Sequence, residues 1–163
     1  MKMTLLLSTI MMAGLFLLLF VGVALIQDKK YFTTAPREIY EAVKPKHERF
    51  RGQHVMGWLL AILAIVCMVG AMILGILDGI KNNFSFLQFF SRFAIMLFLL
   101  KLFDIVFFDW FLLCRSNFFP HYYPEVKNLL GPHLFGYNRK DHIMQSIAIF
   151  IGSLVLAGLC TLF

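Results

Sequence analysis

The chain has 163 residues, and its amino-acid composition is that of a protein embedded in a membrane. Hydrophobic residues make up 60% of it and charged residues 15%, whereas a soluble domain is about one-half apolar. This composition excludes an ordinary soluble enzyme and a basic nucleic-acid-binding domain, so no nucleic-acid partner is expected. The formal charge of +6 instead indicates contact with anionic lipid headgroups, which attract Lys and Arg near the bilayer surface.

Four apolar stretches lie along the chain, at about residues 3–27, 54–79, 84–114 and 142–163. Each is long enough to cross a hydrocarbon core roughly 30 Å thick, which takes about 20 residues of helix. The first stretch is much longer than the apolar core of a secretory signal, roughly 7–15 residues, so we expect a retained helix. The sequence predicts an all-α membrane protein, a four-transmembrane-helix bundle that forms a single integral membrane domain over residues 1–163.

The basic residues between the stretches predict the orientation of the chain. Residues 28–53 contain seven Lys and Arg and residues 115–141 contain four, whereas the opposite side carries only Lys2 and Lys81. Loops rich in Lys and Arg stay on the cytosolic side. We therefore expect a multi-pass protein of the inner or plasma membrane, with both large loops cytosolic and both termini outside.

The first cytosolic loop is expected to contain a short helix of its own. Pro36 suits the first turn of a helix, and Ile39, Tyr40 and Val43 follow it at helical spacing. We expect this helix to lie at the membrane interface with these three apolar side chains toward lipid.

Small residues recur at every fourth position of the second stretch, at Ala71, Gly75 and Gly79. Small side chains at this spacing let helices approach closely in lipid. The pattern fits packing within the bundle and packing between protomers equally well. A homo-oligomer and a larger membrane partner both remain open.

Three ionisable residues interrupt the third stretch: Lys101, Asp104 and Asp109. Such residues inside a membrane usually face a partner or a wet cavity. Lys101 and Asp104 are three residues apart and can pair along a helix, and Arg92 can form a similar ion-paired group with Asp78 and Lys81 at the outer surface. On an α-helix Asp109 points roughly 140° away from Asp104, so it needs a partner from outside its own helix.

Polar and aromatic residues gather on the predicted cytosolic side, where all five histidines fall. Residues 120–142 contain enough Pro, Gly and aromatic residues to fold back as a compact cap over a polar pocket. General acid–base chemistry there needs carboxylates or imidazoles within reach of a substrate, and we assign it to Asp109, Glu125 and His121. The expected substrate-binding residues of this pocket are Arg51, His54, Lys101, Asp104, Arg139 and His142.

The histidine spacing indicates no defined metal site, since no HExxH-type motif is present, and the pattern leaves any cofactor unknown. The pocket favours a protein that binds or modifies a lipid-like or anionic small molecule, with membrane lipids as its surroundings. Whether it is an enzyme stays open. The alternative is a transporter, a channel or an accessory membrane subunit that uses Lys101 and Asp104 in the bundle interior.

Overall fold

The protein is all-helical wherever its structure is described. A computed structural model describes residues 1–29, 35–44 and 46–162, and these residues contain no strand. Two π-helical segments, Gly22–Ile26 and Asp104–Leu113, directly follow the first and fourth α-helices, and 3₁₀ turns lie at Pro124–Leu129 and Pro132–Leu134. The α-helices of this part of the chain are α1 (Lys2–Val21), α2 (Arg37–Ala42), α3 (Gln53–Lys81), α4 (Phe86–Phe103), α5 (Phe118–Tyr122) and α6 (Arg139–Cys160).

Three helical stretches in the described part of the chain are long and apolar enough to cross a membrane: Lys2–Ile26, Gln53–Lys81 and Arg139–Cys160. They agree within a few residues with three of the predicted spans. The fourth predicted span is occupied by α4 and by Asp104–Leu113, here called the π-segment, and it is not among these three. The three helices are compatible with a multi-pass membrane protein, while the fourth crossing and the four-helix bundle stay predictions.

The chain divides into two compact units, each assembled from separate stretches. Unit 1 comprises Met1–Gly14, Val66–Phe103 and Asn138–Phe163. In this unit α3 and α4 approach closely. A Cβ atom placed on Gly79 of α3 would overlap the ring of Phe89 of α4, so only glycine leaves room for this ring. The tight packing expected of the small residues in the second stretch is therefore present between these two helices.

Unit 1 is also held by polar contacts between its helices. Arg92 of α4 forms the expected ion pair with Asp78, with Nη2 and Oδ2 2.7 Å apart. Lys101, only 8% exposed, donates a hydrogen bond from Nζ to Oε1 of Gln145 at 2.5 Å. Lys101 thus connects α4 with α6, while its expected pairing with Asp104 stays a prediction.

Unit 2 comprises Leu15–Ile65 and Asp104–Tyr137. The end of α1 packs against the start of α3 in this unit, with Val21, Ile26 and Ala61 forming a buried cluster. Gln53, 1% exposed, donates from Nε2 to the carbonyl oxygen of Leu25 at 2.8 Å. Because this amide satisfies a carbonyl near the end of the first long helix, it fixes that end against α3.

The short helix expected in the first loop is present as α2, but its apolar side chains are placed differently from the prediction. Ile39 and Val43 are each 2% exposed and pack with Tyr123, Val126 and Leu134 of the second loop. Their expected orientation toward lipid was wrong, because the second loop folds over them. The part of this loop that lies in unit 2 thus packs on α2, while its role as a cap over a polar pocket stays a prediction.

Candidate functional site

A cavity of about 160 Å³ lies inside unit 2. Four groups of residues line it, and every one belongs to this unit. The end of α1 and its extension contribute Leu19 and Val23, and the α2 region contributes Ala35 and Ile39. The π-segment supplies Asp104, Phe108, Asp109 and Leu113, and the second loop supplies Phe119, Val126, Leu130 and Tyr137. Ten side chains of hydrophobic residues therefore surround two carboxylates.

The π-segment determines where these two carboxylates point. It runs for ten residues, Asp104–Leu113, although π-helical hydrogen bonding is rare, usually confined to a single turn, and frequent at functional sites. Its hydrogen bonds join residues i and i+5, so Asp104 and Asp109 lie one turn apart on the same face. The separation of roughly 140° predicted for an α-helix was wrong, because this part of the chain is not α-helical.

The two carboxylates are close enough to act on one bound group. A carboxylate oxygen of Asp104 lies within 4.8 Å of a carboxylate oxygen of Asp109, and both residues are half-buried. Two negative charges at this separation repel each other, most strongly where little water screens them. The arrangement favours a ligand that offers a positive charge or a hydrogen-bond donor to both oxygens.

The apolar wall of the cavity is part of the hydrophobic core of unit 2. Val23, Ile39 and Val126 line the cavity, and each is at most 2% exposed. Residues this deeply buried are closely packed, as in a protein interior. An apolar ligand group in contact with this wall is removed from water as completely as a core side chain.

A second polar cluster, here called the loop junction, joins the two loops of unit 2. It consists of Lys46, Arg49, Tyr122, Tyr123 and Glu125. Nζ of Lys46 lies 2.9 Å from Oε2 of Glu125 and 5.5 Å from the ring centre of Tyr123. The guanidinium of Arg49 lies 5.5 Å from the ring centre of Tyr122. These contacts between cations, a carboxylate and aromatic faces hold the second loop against the first.

The loop junction shifts the protonation of its own members. Burial alone raises the pKa of Glu125, but hydrogen bonds from Lys46 and from backbone N–H groups, together with the charge of Lys46, bring that pKa below its ordinary value. Burial raises the pKa of the Tyr123 phenol above its ordinary value, and the charges of Glu125 and Asp28 act in the same direction. Glu125 is therefore an anion, and Tyr123 a neutral phenol, around neutral pH.

The predicted catalytic residues fall at different places in unit 2. Asp109 lines the cavity. Glu125 lies in the loop junction, where Lys46 Nζ and the Lys44 backbone N–H, at 3.3 Å, both donate to it. His121 is exposed, with its ring centre 4.8 Å from that of Tyr122. Of the three, only Asp109 belongs to the cavity lining.

Two of the predicted substrate-binding residues lie near the start of α3. Arg51 is exposed. The Nδ1 atom of His54 lies 3.5 Å from Oε1 of Glu48, and the same carboxylate oxygen accepts the backbone N–H of His54 at 3.1 Å. Glu48 thus caps the first turn of α3 and holds His54 there. Neither Arg51 nor His54 lines the cavity.

The other predicted substrate-binding residues are divided between the units. Asp104 lines the cavity of unit 2. Lys101 belongs to unit 1, where it contacts Gln145, and Arg139 and His142 begin α6 of unit 1. Arg139 is exposed and His142 half-buried.

Sequence reasoning missed the apolar wall of the cavity. Val126 and Leu130 carry no signal that separates them from other loop residues, and Leu19 and Val23 read as ordinary membrane-helix residues. Ile39 stood in a predicted helix, but its spacing pointed to lipid rather than to a cavity. Comparisons with protein-family models, with curated proteins and with solved structures find no match for this chain. The geometry of the described residues therefore carries the functional argument.

Proposed function

We propose that this chain is a multi-pass membrane protein that binds a lipid-like small molecule in the cavity of unit 2. The observation that carries the proposal is the cavity itself, an apolar chamber with the paired carboxylates of Asp104 and Asp109 on one wall. In hydrocarbon, ionisable side chains usually mark a ligand or an ion path. In this cavity the two carboxylates lie beside a wall of hydrophobic side chains that suits an apolar ligand group.

The membrane location is supported by the exposed surfaces of the long helices. Large apolar residues stay exposed along α3, among them Leu59, Val66 and Ile73, and a helix exposes such a surface stably when lipid covers it. In the proposed arrangement α4 and the π-segment form the fourth crossing, since they too expose Leu102 and Val106. The proposed location is the inner or plasma membrane. There both termini lie outside the cell and both large loops lie in the cytosol.

The volume of the cavity limits what it holds. An engineered protein cavity of about 150 Å³ accommodates benzene, and this cavity has about 160 Å³. It fits one ring or a short branched chain, so the rest of a lipid-like ligand extends out of it. A six-membered ring that carries a hydroxyl group and an isoprenoid unit are both of this size.

The charge of the wall decides which end of the ligand enters. Carboxylates accept hydrogen bonds from hydroxyl and amine groups and attract cations. The ligand we propose therefore places a hydroxyl or amine group between Asp104 and Asp109. The anionic alternative has less support at this cavity, because the acidic residues that line it repel an anion.

If the bound molecule is also modified, the acid–base role belongs to the Asp104–Asp109 pair. General acid–base catalysis requires a side chain within hydrogen-bond reach of the reacting proton. The pair lines the cavity, whereas Glu125 is engaged by Lys46 and His121 is exposed outside the lining. Asp109 is thus the predicted catalytic residue that the proposal retains.

Small molecules that co-purify with the protein test the proposal. Protein extracted in mild detergent is analysed by native mass spectrometry and by solvent extraction, and a near-stoichiometric apolar molecule with a hydroxyl or amine end is expected. Ala35→Leu, which adds apolar volume at a half-buried lining position, should displace it. Ala148→Leu, at an exposed position of α6, serves as the matched control. A folded protein that carries no such molecule, or that loses it equally in both variants, contradicts the proposal.

A further inference from the structure

A second cavity, of about 410 Å³, lies in unit 1 where α4 begins. Five of its lining residues carry polar side chains: Thr4, Ser85, Gln88, Ser91 and Arg92. The other lining residues are Met1, Phe84, Leu87 and Ile95, so no acidic residue lines this cavity in the described part of the chain. The groups that it offers are hydroxyls, an amide and a guanidinium.

The start of α4 adds positive potential to this cavity. The helix has 18 residues and begins at Phe86, and the first N–H groups of a helix have no acceptor within the helix. The aligned peptide dipoles place a partial positive charge at the same end. Gln88 accepts the backbone N–H of Ser85 through Oε1 at 2.8 Å, and the carbonyl oxygen of Ser85 accepts the N–H groups of Gln88 and Phe89 at 3.0 Å. Of the first four N–H groups of α4, those of Phe86 and Leu87 are left for a ligand.

Arg92 supplies the second and independent observation. Its side chain is only 3% exposed, and it lines the cavity. Its Nη1 donates to the carbonyl oxygen of Gly75 at 2.7 Å, and Nη2 pairs with Asp78 at 2.7 Å. Its Nε is buried and has no hydrogen-bond partner. A buried donor without an acceptor is uncommon in folded proteins, so the two hydrogen bonds of Arg92 do not use all the donors of its guanidinium.

The surroundings of Arg92 hold its guanidinium in one position. The ring of Phe84 lies over the guanidinium, with its centre 4.3 Å from Cζ. The Nη1 and Nη2 atoms are held by the carbonyl oxygen of Gly75 and the carboxylate of Asp78. A fixed guanidinium loses little conformational freedom when it binds an oxyanion. Asp78 does not line the cavity. An anion in the cavity therefore contacts hydrogen-bond donors and not this carboxylate.

We propose that this cavity binds a phosphate group, through the guanidinium of Arg92 on the cavity wall, the start of α4 and the hydroxyls of Ser85 and Ser91. A phosphate has several acceptor oxygens, and helix N-termini and arginine are its usual partners in proteins. The group comes either from free inorganic phosphate or from a phospholipid headgroup. The lipid source rests on the membrane location proposed above, while binding of free phosphate does not.

Two probes distinguish these sources on the full chain in an uncharged, phosphate-free detergent. Inorganic phosphate is titrated by equilibrium dialysis, and phosphatidylglycerol is compared by native mass spectrometry with a diacylglycerol that has the same tails but no phosphate. We expect one of the two phosphate-bearing probes to bind. Diacylglycerol should not bind in either case.

Ser91→Leu tests the site without touching the Arg92–Asp78 pair, because it places an apolar side chain on the cavity wall. It should weaken phosphate or phosphatidylglycerol binding at least about tenfold, the equivalent of one charge-assisted hydrogen bond. Arg92→Gln should also weaken binding. It removes the ion pair with Asp78 as well, so Ser91→Leu is the cleaner test. Thr9→Leu replaces an exposed hydroxyl of α1 outside the cavity and should bind as the parent does.

Three results overturn the proposal. The first is that neither inorganic phosphate nor phosphatidylglycerol binds. The second is that Ser91→Leu binds as tightly as the parent, or that Thr9→Leu loses binding equally. The third is that diacylglycerol binds as well as phosphatidylglycerol while inorganic phosphate does not bind, since recognition then lies in the tails.

Discussion

Asp104 and Asp109 are five residues apart, yet their carboxylate oxygens lie within 4.8 Å of each other on one wall of a cavity. The π-helical hydrogen-bond pattern of Asp104–Leu113 brings this about, since it stacks residues five apart. An α-helix over the same residues would direct only one of the two toward the cavity. The local backbone form thus creates the candidate site.

The pair is expected to bind a ligand as one unit. Asp104→Asn and Asp109→Asn should each lower the amount of co-purified ligand severalfold, and the double variant should lower it by less than the product of the two effects. Neighbouring groups that share one partner are coupled in this way. Occupancy is measured by native mass spectrometry, with Asp141→Asn, an exposed carboxylate of α6, as the control. Independent, multiplicative effects would show that the carboxylates contact different groups.

The sequence predicted the helical class, three long apolar helices and the short helix of the first loop, because each follows from local composition and periodicity. The ion pair of Arg92 and Asp78 also follows from the strong need of a buried charge for a partner. These features depend on a few residues that lie close together in the chain. They are therefore readable from one sequence.

The cavity was not readable in the same way. Its two carboxylates meet because a ten-residue segment adopts π-helical geometry, and no residue pattern in this segment separates that geometry from an α-helix. Its apolar wall is formed when Val126 of the second loop packs on Ile39 of α2, a contact between residues far apart in the chain. Such contacts are set by tertiary packing, which periodicity does not report.

The close packing of α3 and α4 predicts opposite effects for two glycines of α3. Gly79→Ala places a methyl group into the ring of Phe89 and should destabilise unit 1 by about 1–3 kcal/mol. A Cβ atom on Gly70 meets nothing within 4 Å, so Gly70→Ala should be neutral or stabilising by up to about 1 kcal/mol. Thermal unfolding in detergent measures both. Equal effects would mean that helix propensity, and not the Phe89 contact, governs Gly79.

Tyr123 predicts a loss of stability in alkali. Burial and the nearby charges of Glu125 and Asp28 raise the pKa of its phenol in the folded state. A raised folded pKa means that its contribution is full below the unfolded pKa of about 10 and is lost as pH rises toward the folded pKa. Tyr123→Phe should remove this component of the alkaline loss. Stability is followed by thermal unfolding from pH 8 upward, and identical alkaline slopes for parent and variant would contradict the assignment.

The salt bridge between Lys46 and Glu125 predicts the opposite dependence in acid. The pKa of Glu125 is lower in the folded state than its ordinary value, because hydrogen bonds from Lys46 and the backbone outweigh the effect of burial. Its contribution is therefore present above the unfolded pKa of about 4.3 and lost as pH falls through the folded pKa. Glu125→Gln should cost about 1 kcal/mol at neutral pH, since the pair is partly exposed.

That cost should shrink as the medium is acidified, because the parent then protonates the same carboxylate that the variant has replaced. Thermal unfolding of both proteins between pH 7 and pH 3 measures the difference, with Glu38→Gln, at an exposed position of α2, as the matched control. A difference that stays constant across this range would show that Glu125 stabilises the loop junction by packing alone. A difference that vanishes, while the control shows none, identifies its charge as the contact that joins the second loop to the first.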